Sequence, residues 1–504
     1  MLSLFAIVTV SAIVIRFFGI SFYPLYFDEL FSLLWSRSDP AFLWREGPVL
    51  EGNPPLYYLL LRVWIRLVGE GEAALRAPSA LAMALAAGCT FLAGWMIRGQ
   101  ALGLLAGILA ALLPFSVLLG GVARPVVLSG LVQAVALVLT LAYVLAPLRR
   151  GTAEGDGHPW RYEAVLLALF GLVAILLVHT HAMSVIFAAL CGLCLAVQAV
   201  LRGWRSVLLV GVCGLIVLAV SVPQLLAYVT IARSTAIGEF APQSRYDVMR
   251  FFIALASGES LARFDLGLGA RLALSAPLLA LAVAGLLCMP RAAALVLAST
   301  AGGFVLLGAI LGVNNLLLHP RIATVLMAPF CLGLAAAALA PAGRKVRLPV
   351  VLPMLFLAMV VLQQTRGWTA TWHPVQDNRL AARSIGPGEA CDGPVLADGS
   401  LQLLFLAFYH PAPPERFLVR GPGQPGFASD WAMAGIAGYT VIGPEALDAH
   451  LAASRSLVLL PYARPDGPGP VATALERPLA GWERTILTIP KGLVLHCLRR
   501  SGAD

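Results

Sequence analysis

"MLSLFAIVTVSAIVIRFFGI", residues 1–20, carries a single charge, Arg16, and "YFDELFS", residues 26–32, sets Asp28 and Glu29 side by side shortly after it. An apolar run of that length can cross about 30 Å of hydrocarbon. A carboxylate pair so close to a bilayer is costly unless it faces water, a metal or a reaction. The first pattern then repeats along the chain. Apolar segments fall near 3–20, 78–97, 101–120, 126–147, 163–179, 182–201, 206–228, 270–288, 293–312, 322–341 and 348–364. The 504 residues are 59% hydrophobic and only 12% charged, with a mean hydropathy of +0.85. Soluble domains carry about 25% charged residues. This composition excludes a soluble globular chain and predicts an all-α polytopic membrane protein with about 11 transmembrane helices.

The net charge of +9 is unevenly spread: residues 1–369 hold 24 Lys+Arg against 14 Asp+Glu, and residues 370–504 hold 11 against 12. The excess belongs to the membrane portion, where cations set topology and meet lipid headgroups. No zinc-finger spacing or basic tract points to nucleic acid. Basic residues mark alternate segment ends: Arg98; Arg149 and Arg150; Arg202 and Arg205; Arg291; and "GRKVR" at 343–347. With those ends cytoplasmic, the N-terminus is cytoplasmic and every span alternates without conflict. No Lys or Arg precedes the first run and no small-residue cleavage site follows it, so it reads as a retained span.

This orientation puts outside the 21–77 loop, the turn around Arg124, the 229–269 loop, "NNLLLHPR" at 314–321 and everything after 364. Within the first loop, "NPPLYYLLLRVWIRLVG" at 53–69 is short and basic for a span. It reads as a helix on the membrane surface, with Pro55 near its first turn. Taken as a span, it would invert all that follows.

Residues 1–369 form the predicted transmembrane domain, and composition changes at 370. "LQLLFLAFY", "SLVLLPYA", "TILTIP" and "GLVLHCL" read as strands, and "ALDAHLAAS" as a helix. Turn-rich stretches separate them. Residues 370–504 therefore read as a small extracytoplasmic α/β domain, a cap or an acceptor-holding module without a catalytic cluster of its own. Six of the eight cysteines lie in apolar runs as packing residues. Cys391 and Cys497 lie in the last segment and can pair in an oxidising compartment.

"RFFG" at 16–19, "YFDE" at 26–29, "NPPLYYLLLRVW" at 53–64 and "GEAALRAPSAL" at 71–81 are followed by "VARPVVL" at 122–128, "HTHAMSVIFA" at 179–188 and "HPRIATVLMAPF" at 319–330. This ordered set resembles the polytopic glycosyltransferases of the protein O-mannosyltransferase and lipid A aminoarabinose transferase superfamily, of GT-C type. The resemblance implies transfer of a sugar from a polyprenyl-phosphate carrier to a glycan, glycolipid or protein acceptor on the extracytoplasmic side. Phosphate leaves an anomeric carbon readily once its charge is matched. Such an enzyme needs cationic or metal partners for the phosphate and a carboxylate at the acceptor oxygen. It does not need the paired carboxylates of a glycosidase.

By resemblance Asp28 matches the first-loop aspartate of these enzymes, the base for a single inverting displacement. Glu29 is the second candidate: a metal ligand, a support for Asp28, or a cap on the helix that follows. The alternative for the pair is a helix start facing water. Arg124 and Arg321, each where an outer loop meets a span, are the phosphate candidates, since a guanidinium engages two phosphate oxygens. Snorkelling to the interface is the plain alternative. His319 would donate to the same phosphate or bind a metal. His179 and His181 form an HxH pair, a weak zinc signal without a third ligand, with substrate hydrogen bonding by His181 and helix-end packing as the other readings. Asn53, before the proline pair, matches a family position near the site. Arg16 would pair with an outer-loop acid, contact a headgroup or hold the Asp28 loop.

Many relatives carry an acid shortly before the second-loop arginine. Here the stretch is "LLGGVARP", with Val122 and no acid between 73 and 153. A divalent cation, if used, would fall to Asp28, Glu29 and His181, and metal-free phosphate binding by the arginines is the other reading. Two further accounts compete: a transporter or flippase, for which membrane-level charges mark a pathway, and a non-catalytic partner in envelope assembly. Paired halves and interrupted spans, common in transporters, are not evident. The Ala/Gly/Pro/Arg-rich composition suggests a bacterial inner membrane and an undecaprenyl-type carrier. The sugar and the acceptor are not encoded in any motif.

Overall fold

The computed structural model describes residues 1–22, 24–48, 53–146, 159–233, 245–257, 267–310, 320–339, 378–386, 388–389, 391–410, 412–420, 434–435, 437–461, 463–464, 467–489 and 493–502. The chain divides into two compact units, residues 1–20 with 47–370 and residues 21–46 with 371–504. The first outer loop is thereby shared between them.

The first unit is helical, because a chain in hydrocarbon must satisfy every backbone N–H and C=O internally. The described residues of each predicted segment up to 322–341 are mainly helical, and 348–364 lies outside the described residues. Among the described residues, 8 helices are long and apolar enough to cross a membrane, or 9 when one bent pair counts as a single span. Leu2–Phe17 is apolar but shorter, at 16 residues. Helix Leu56–Val68 has 13 residues, about 20 Å of rise, too little to span. It buries Tyr57, Tyr58, Leu61 and Ile65.

Prolines shape this unit through the hydrogen bonds they cannot make. Pro78 lies inside helix Glu72–Arg98, so the carbonyl of Ala74 lacks its usual donor. The indole Nε1–H of Trp64 donates to that carbonyl at 2.8 Å. The same device explains a difference from expectation at 101–120. This segment is two helices, Gln100–Leu112 and Pro114–Gly120, bent by 57°. Pro114 offers no N–H to the carbonyl of Ala110, and Arg16 supplies the donor. Its Nη2 reaches Ala110 O at 3.3 Å and Ser116 Oγ at 2.6 Å, and its Nη1 reaches Ala12 O at 3.0 Å. Gly120 makes room for this side chain: a Cβ there would lie 2.9 Å from Arg16 Cδ. Glycine also lets Glu72–Arg98 and Gln100–Leu112 touch backbone to backbone. A Cβ on Gly94 would stand 2.8 Å from Gly103 Cα, the close approach typical of membrane helix pairs.

The second unit holds a six-stranded sheet in the order β3-β2-β1-β4-β8-β7. Its strands are β1 Val395–Ala397, β2 Arg416–Val419, β3 Thr440–Ile442, β4 Ser456–Leu460, β7 Trp482–Ile489 and β8 Leu493–Arg500, with β5 Ala463–Arg464 and β6 Gly467–Pro468 in a separate hairpin. β1 to β4 run parallel, β8 pairs antiparallel with β4, and β7 pairs antiparallel with β8 at the sheet edge. Leu396, Val419, Leu457, Leu459 and Leu498 build its core with Leu447 and Val471 from flanking helices. One expected strand is wrong. "LQLLFLAFY" lies in helix Ser400–Tyr409, because a short run that is apolar but for Gln402 has no periodicity to separate strand from helix, and Leu, Gln, Phe and Ala carry no β-branching. A disulfide joins Cys391 and Cys497, with Cα atoms 5.0 Å apart. First-loop helices Phe27–Arg37 and Pro40–Arg45 belong to this unit, where Trp35 is buried and stacks on Phe42 at 5.8 Å.

His496 makes the sheet sensitive to acid. Arginine only donates, so the bonds from Arg484 Nε and Nη2 to His496 Nδ1, 2.9 and 2.6 Å, need a neutral ring protonated at Nε2. Burial, and then the Arg484 charge, lowers the His496 pKa below its ordinary value. As pH falls, the unfolded chain binds this proton first. The pair's stabilisation is therefore complete above about pH 6.5 and is lost as pH drops through the lower folded value. Thermal melts of the wild type should shift downward over that acid range, and His496→Gln should shift less.

Candidate functional site

Asp28 sits in the first turn of helix Phe27–Arg37, half-buried, and its neighbour Glu29 is 1% exposed. Glu29 reaches back to cap the helix: its Oε2 accepts the N–H of Tyr26 at 2.9 Å, while Tyr26 O accepts from Glu29 N at 2.9 Å and Leu30 N at 3.0 Å. Ser32 Oγ donates to Asp28 O at 3.0 Å. Both carboxylates thus stand at the positive end of the helix dipole. Glu29 locks the turn from which Asp28 projects. Capping, one of the roles open to Glu29 from sequence, is present as a bond to Tyr26 N–H.

The remaining candidates belong to the helical unit. Arg124, half-buried, is the N-cap of Pro125–Leu145, in extended backbone at φ −139° and ψ 150°. Arg321, also half-buried, lies in the 3₁₀ turn Pro320–Ala323 that opens Thr324–Ala338. These two helices meet where a Cβ on Gly130 would lie 3.3 Å from Thr324 Cβ. Gly130 is about 9 Å along its helix from Arg124, and Thr324 is three residues from Arg321. The two arginines therefore mark the same ends of two packed helices.

His181 occupies the short break between Pro159–Thr180 and Ser184–Arg202. Its Nδ1 accepts Met183 N–H at 3.2 Å, and its carbonyl accepts Ser184 N–H at 3.0 Å. Gln133 Nε2 donates to Ser184 Oγ at 3.1 Å, which fastens this break to the helix that Arg124 begins. Asn53 lies just before the buried Pro54 and Pro55, on the way into Leu56–Val68. Arg16 is 3% exposed and bonded to the bent span as described above. His319 lies outside the described residues. Among the described residues, no group of three or more His, Cys, Asp or Glu is placed to hold a metal ion.

Sequence reasoning gave Arg76 no role. It is 5% exposed inside Glu72–Arg98, and its Nη1 donates to Ile20 O at 2.8 Å, pinning the chain as it leaves the first helix. Sequence pattern does not announce this bond, because Arg76 precedes the apolar run at 78–97 and follows Glu72 by four residues on the same helix.

No protein-family profile matches the chain, and no curated protein sequence matches it. Solved structures do. ArnT from Cupriavidus metallidurans, bound to undecaprenyl phosphate and in the apo state, is similar at 13% identity, with a TM-score of 0.60 over 98% of this chain and 97% of that chain in both cases. An oligosaccharyltransferase from Archaeoglobus fulgidus, in complex with Zn and sulfate, gives a TM-score of 0.49 at 13% identity over 92% of this chain and 72% of that chain. The fold of this chain is therefore similar to that of ArnT over nearly the whole of both chains.

Proposed function

We propose that this protein is a GT-C type glycosyltransferase that moves a sugar from a polyprenyl-phosphate carrier to an acceptor hydroxyl on the extracytoplasmic side of a bacterial inner membrane. The observation that carries the reading is the likeness, over nearly the whole of both chains, to a protein bound to undecaprenyl phosphate. The disulfide between Cys391 and Cys497 supports an oxidising, extracytoplasmic place for the C-terminal domain.

In this reading the carrier phosphate rests against Arg124 and Arg321, with His319 as a further donor. Asp28 accepts the acceptor's proton as its oxygen attacks the anomeric carbon. The C1–O bond to phosphate breaks, and polyprenyl phosphate leaves with the electron pair, its charge balanced by the guanidinium groups. One displacement inverts the anomeric centre. Arg16 and Glu29 act beneath the surface, one under the loop leading to Arg124 and the other under the turn carrying Asp28. His181 and Asn53 line the acceptor or sugar side. A divalent cation, if used, would be a second phosphate partner.

The test uses purified full-length protein in lipid nanodiscs with a panel of radiolabelled polyprenyl-phosphate sugars and a membrane extract as acceptor source, with and without chelator. Transfer of one sugar with release of polyprenyl phosphate is the expected result, and the chelator arm decides the cation. Saturable binding without transfer would favour the assembly partner. Carrier movement across proteoliposomes without transfer would favour the flippase.

A further inference from the structure

Two consecutive backbone amides precede the Asp28 helix, and a side chain captures each of them. Tyr26 N–H goes to Glu29, as above. Leu25 N–H, on a residue with no exposed surface, donates to the phenol oxygen of Tyr409 at 2.5 Å. Arg379 Nη2 donates to Ser21 O at 2.9 Å at the start of the same segment. Tyr409 and Arg379 both come from the C-terminal residues, more than 350 positions away in sequence.

Tyr409 is well placed to transmit position. It ends helix Ser400–Tyr409, whose Leu403, Leu404, Phe405 and Leu406 are buried, and which packs on helix Phe27–Arg37. Phe408 meets its ring edge-on at 4.7 Å. Two residues separate the helix from β1, and one of them, Asp398, is itself fixed. Asp398 is 1% exposed and accepts Val471 N–H at 2.8 Å and Ala472 N–H at 2.9 Å. A rigid sheet, a buried helix and a phenol thus run in series to the residue three before Asp28.

We propose that the C-terminal domain serves as the mount of the Asp28 turn, with Tyr409 as its positioning residue. The domain then has a role beyond covering an acceptor: it sets where the carboxylate points. This rests on the reading of Asp28 as the base, but its structural part can be tested without any substrate.

Hydrogen exchange of the full-length protein in nanodiscs compares wild type with Tyr409→Phe, which removes one oxygen and keeps the ring. Loss of the Leu25 bond should speed exchange in peptides covering 24–32 about five- to tenfold. Peptides from β4 and β8 should exchange as in the wild type. Unchanged protection at 24–32 overturns the proposal, as does an equal loss throughout the sheet. With a donor identified, Tyr409→Phe should lower kcat and leave the donor KM in place, a split that simple loss of folded protein does not give. If no donor is found, the exchange result still stands or falls alone. A failure of this mount is thereby distinct from a failure of the proposed reaction.

Discussion

Asp28→Asn is expected to lower sugar transfer by about 10²–10⁴-fold, the usual worth of a positioned general base, while donor binding stays unchanged. The amide keeps the size of the side chain and its place on the first turn, so folding should not change. It cannot take a proton from the attacking hydroxyl. Glu29→Gln is the control that separates the two carboxylates. Glu29 caps the helix through Tyr26 N–H, and a glutamine oxygen can accept the same bond with less charge assistance. Its expected cost is a modest fall in the stability of the turn and a smaller loss of rate. Single-turnover transfer by the two variants checks both statements. Equal losses would mean that the carboxylates act as one site, such as a shared cation, and that Asp28 has no separate role as base.

Arg16→Leu should destabilise the helical unit by about 1–3 kcal/mol. It leaves the Ala110 carbonyl and Ser116 hydroxyl short of a donor in a medium without water. Relief of guanidinium desolvation offsets part of that loss. The specific claim is that Arg16 stands in for the N–H absent at Pro114. A double-mutant cycle therefore exposes it. Pro114→Ala restores a backbone donor to Ala110 and should rescue Arg16→Leu, with a coupling on the order of 1–2 kcal/mol. It should also straighten the 57° bend and shift the loop that leads into Arg124. Transfer should then fall even where stability recovers. Thermal unfolding in detergent measures the first effect, and turnover measures the second. Additive effects of the two substitutions would show that the guanidinium and the proline act independently.

The membrane architecture was legible because hydrocarbon imposes one solution: apolar runs long enough to cross become helices. Periodicity was not needed there. It was needed at "LQLLFLAFY", where all but Gln402 are apolar and the strand reading gives way to helix Ser400–Tyr409. The break at Leu113–Pro114 was legible in principle, since a proline inside a span removes a bond. Its repair by Arg16 was not, because the donor comes from almost a hundred residues earlier. The carboxylates show the same division. Their place at a helix start follows from "YFDELFS", and capping by Glu29 was one of its sequence readings. Their grouping with the C-terminal residues depends on Tyr409 and Arg379, pairings that no local pattern announces. Arg124 and Arg321 stand out in the sequence as loop-to-span cations. That they head two packed helices follows from the Gly130 contact with Thr324, which only the folded chain shows.

The most direct test of the account is equilibrium binding of undecaprenyl phosphate to purified wild type, Arg124→Ala and Arg321→Ala in nanodiscs. The account predicts saturable binding by the wild type and about a tenfold or greater weakening in each variant, as expected when a charge-assisted phosphate contact is removed. Saturable binding with equal affinity in all three proteins would contradict the phosphate site. No binding by the wild type would contradict the polyprenyl-phosphate carrier itself.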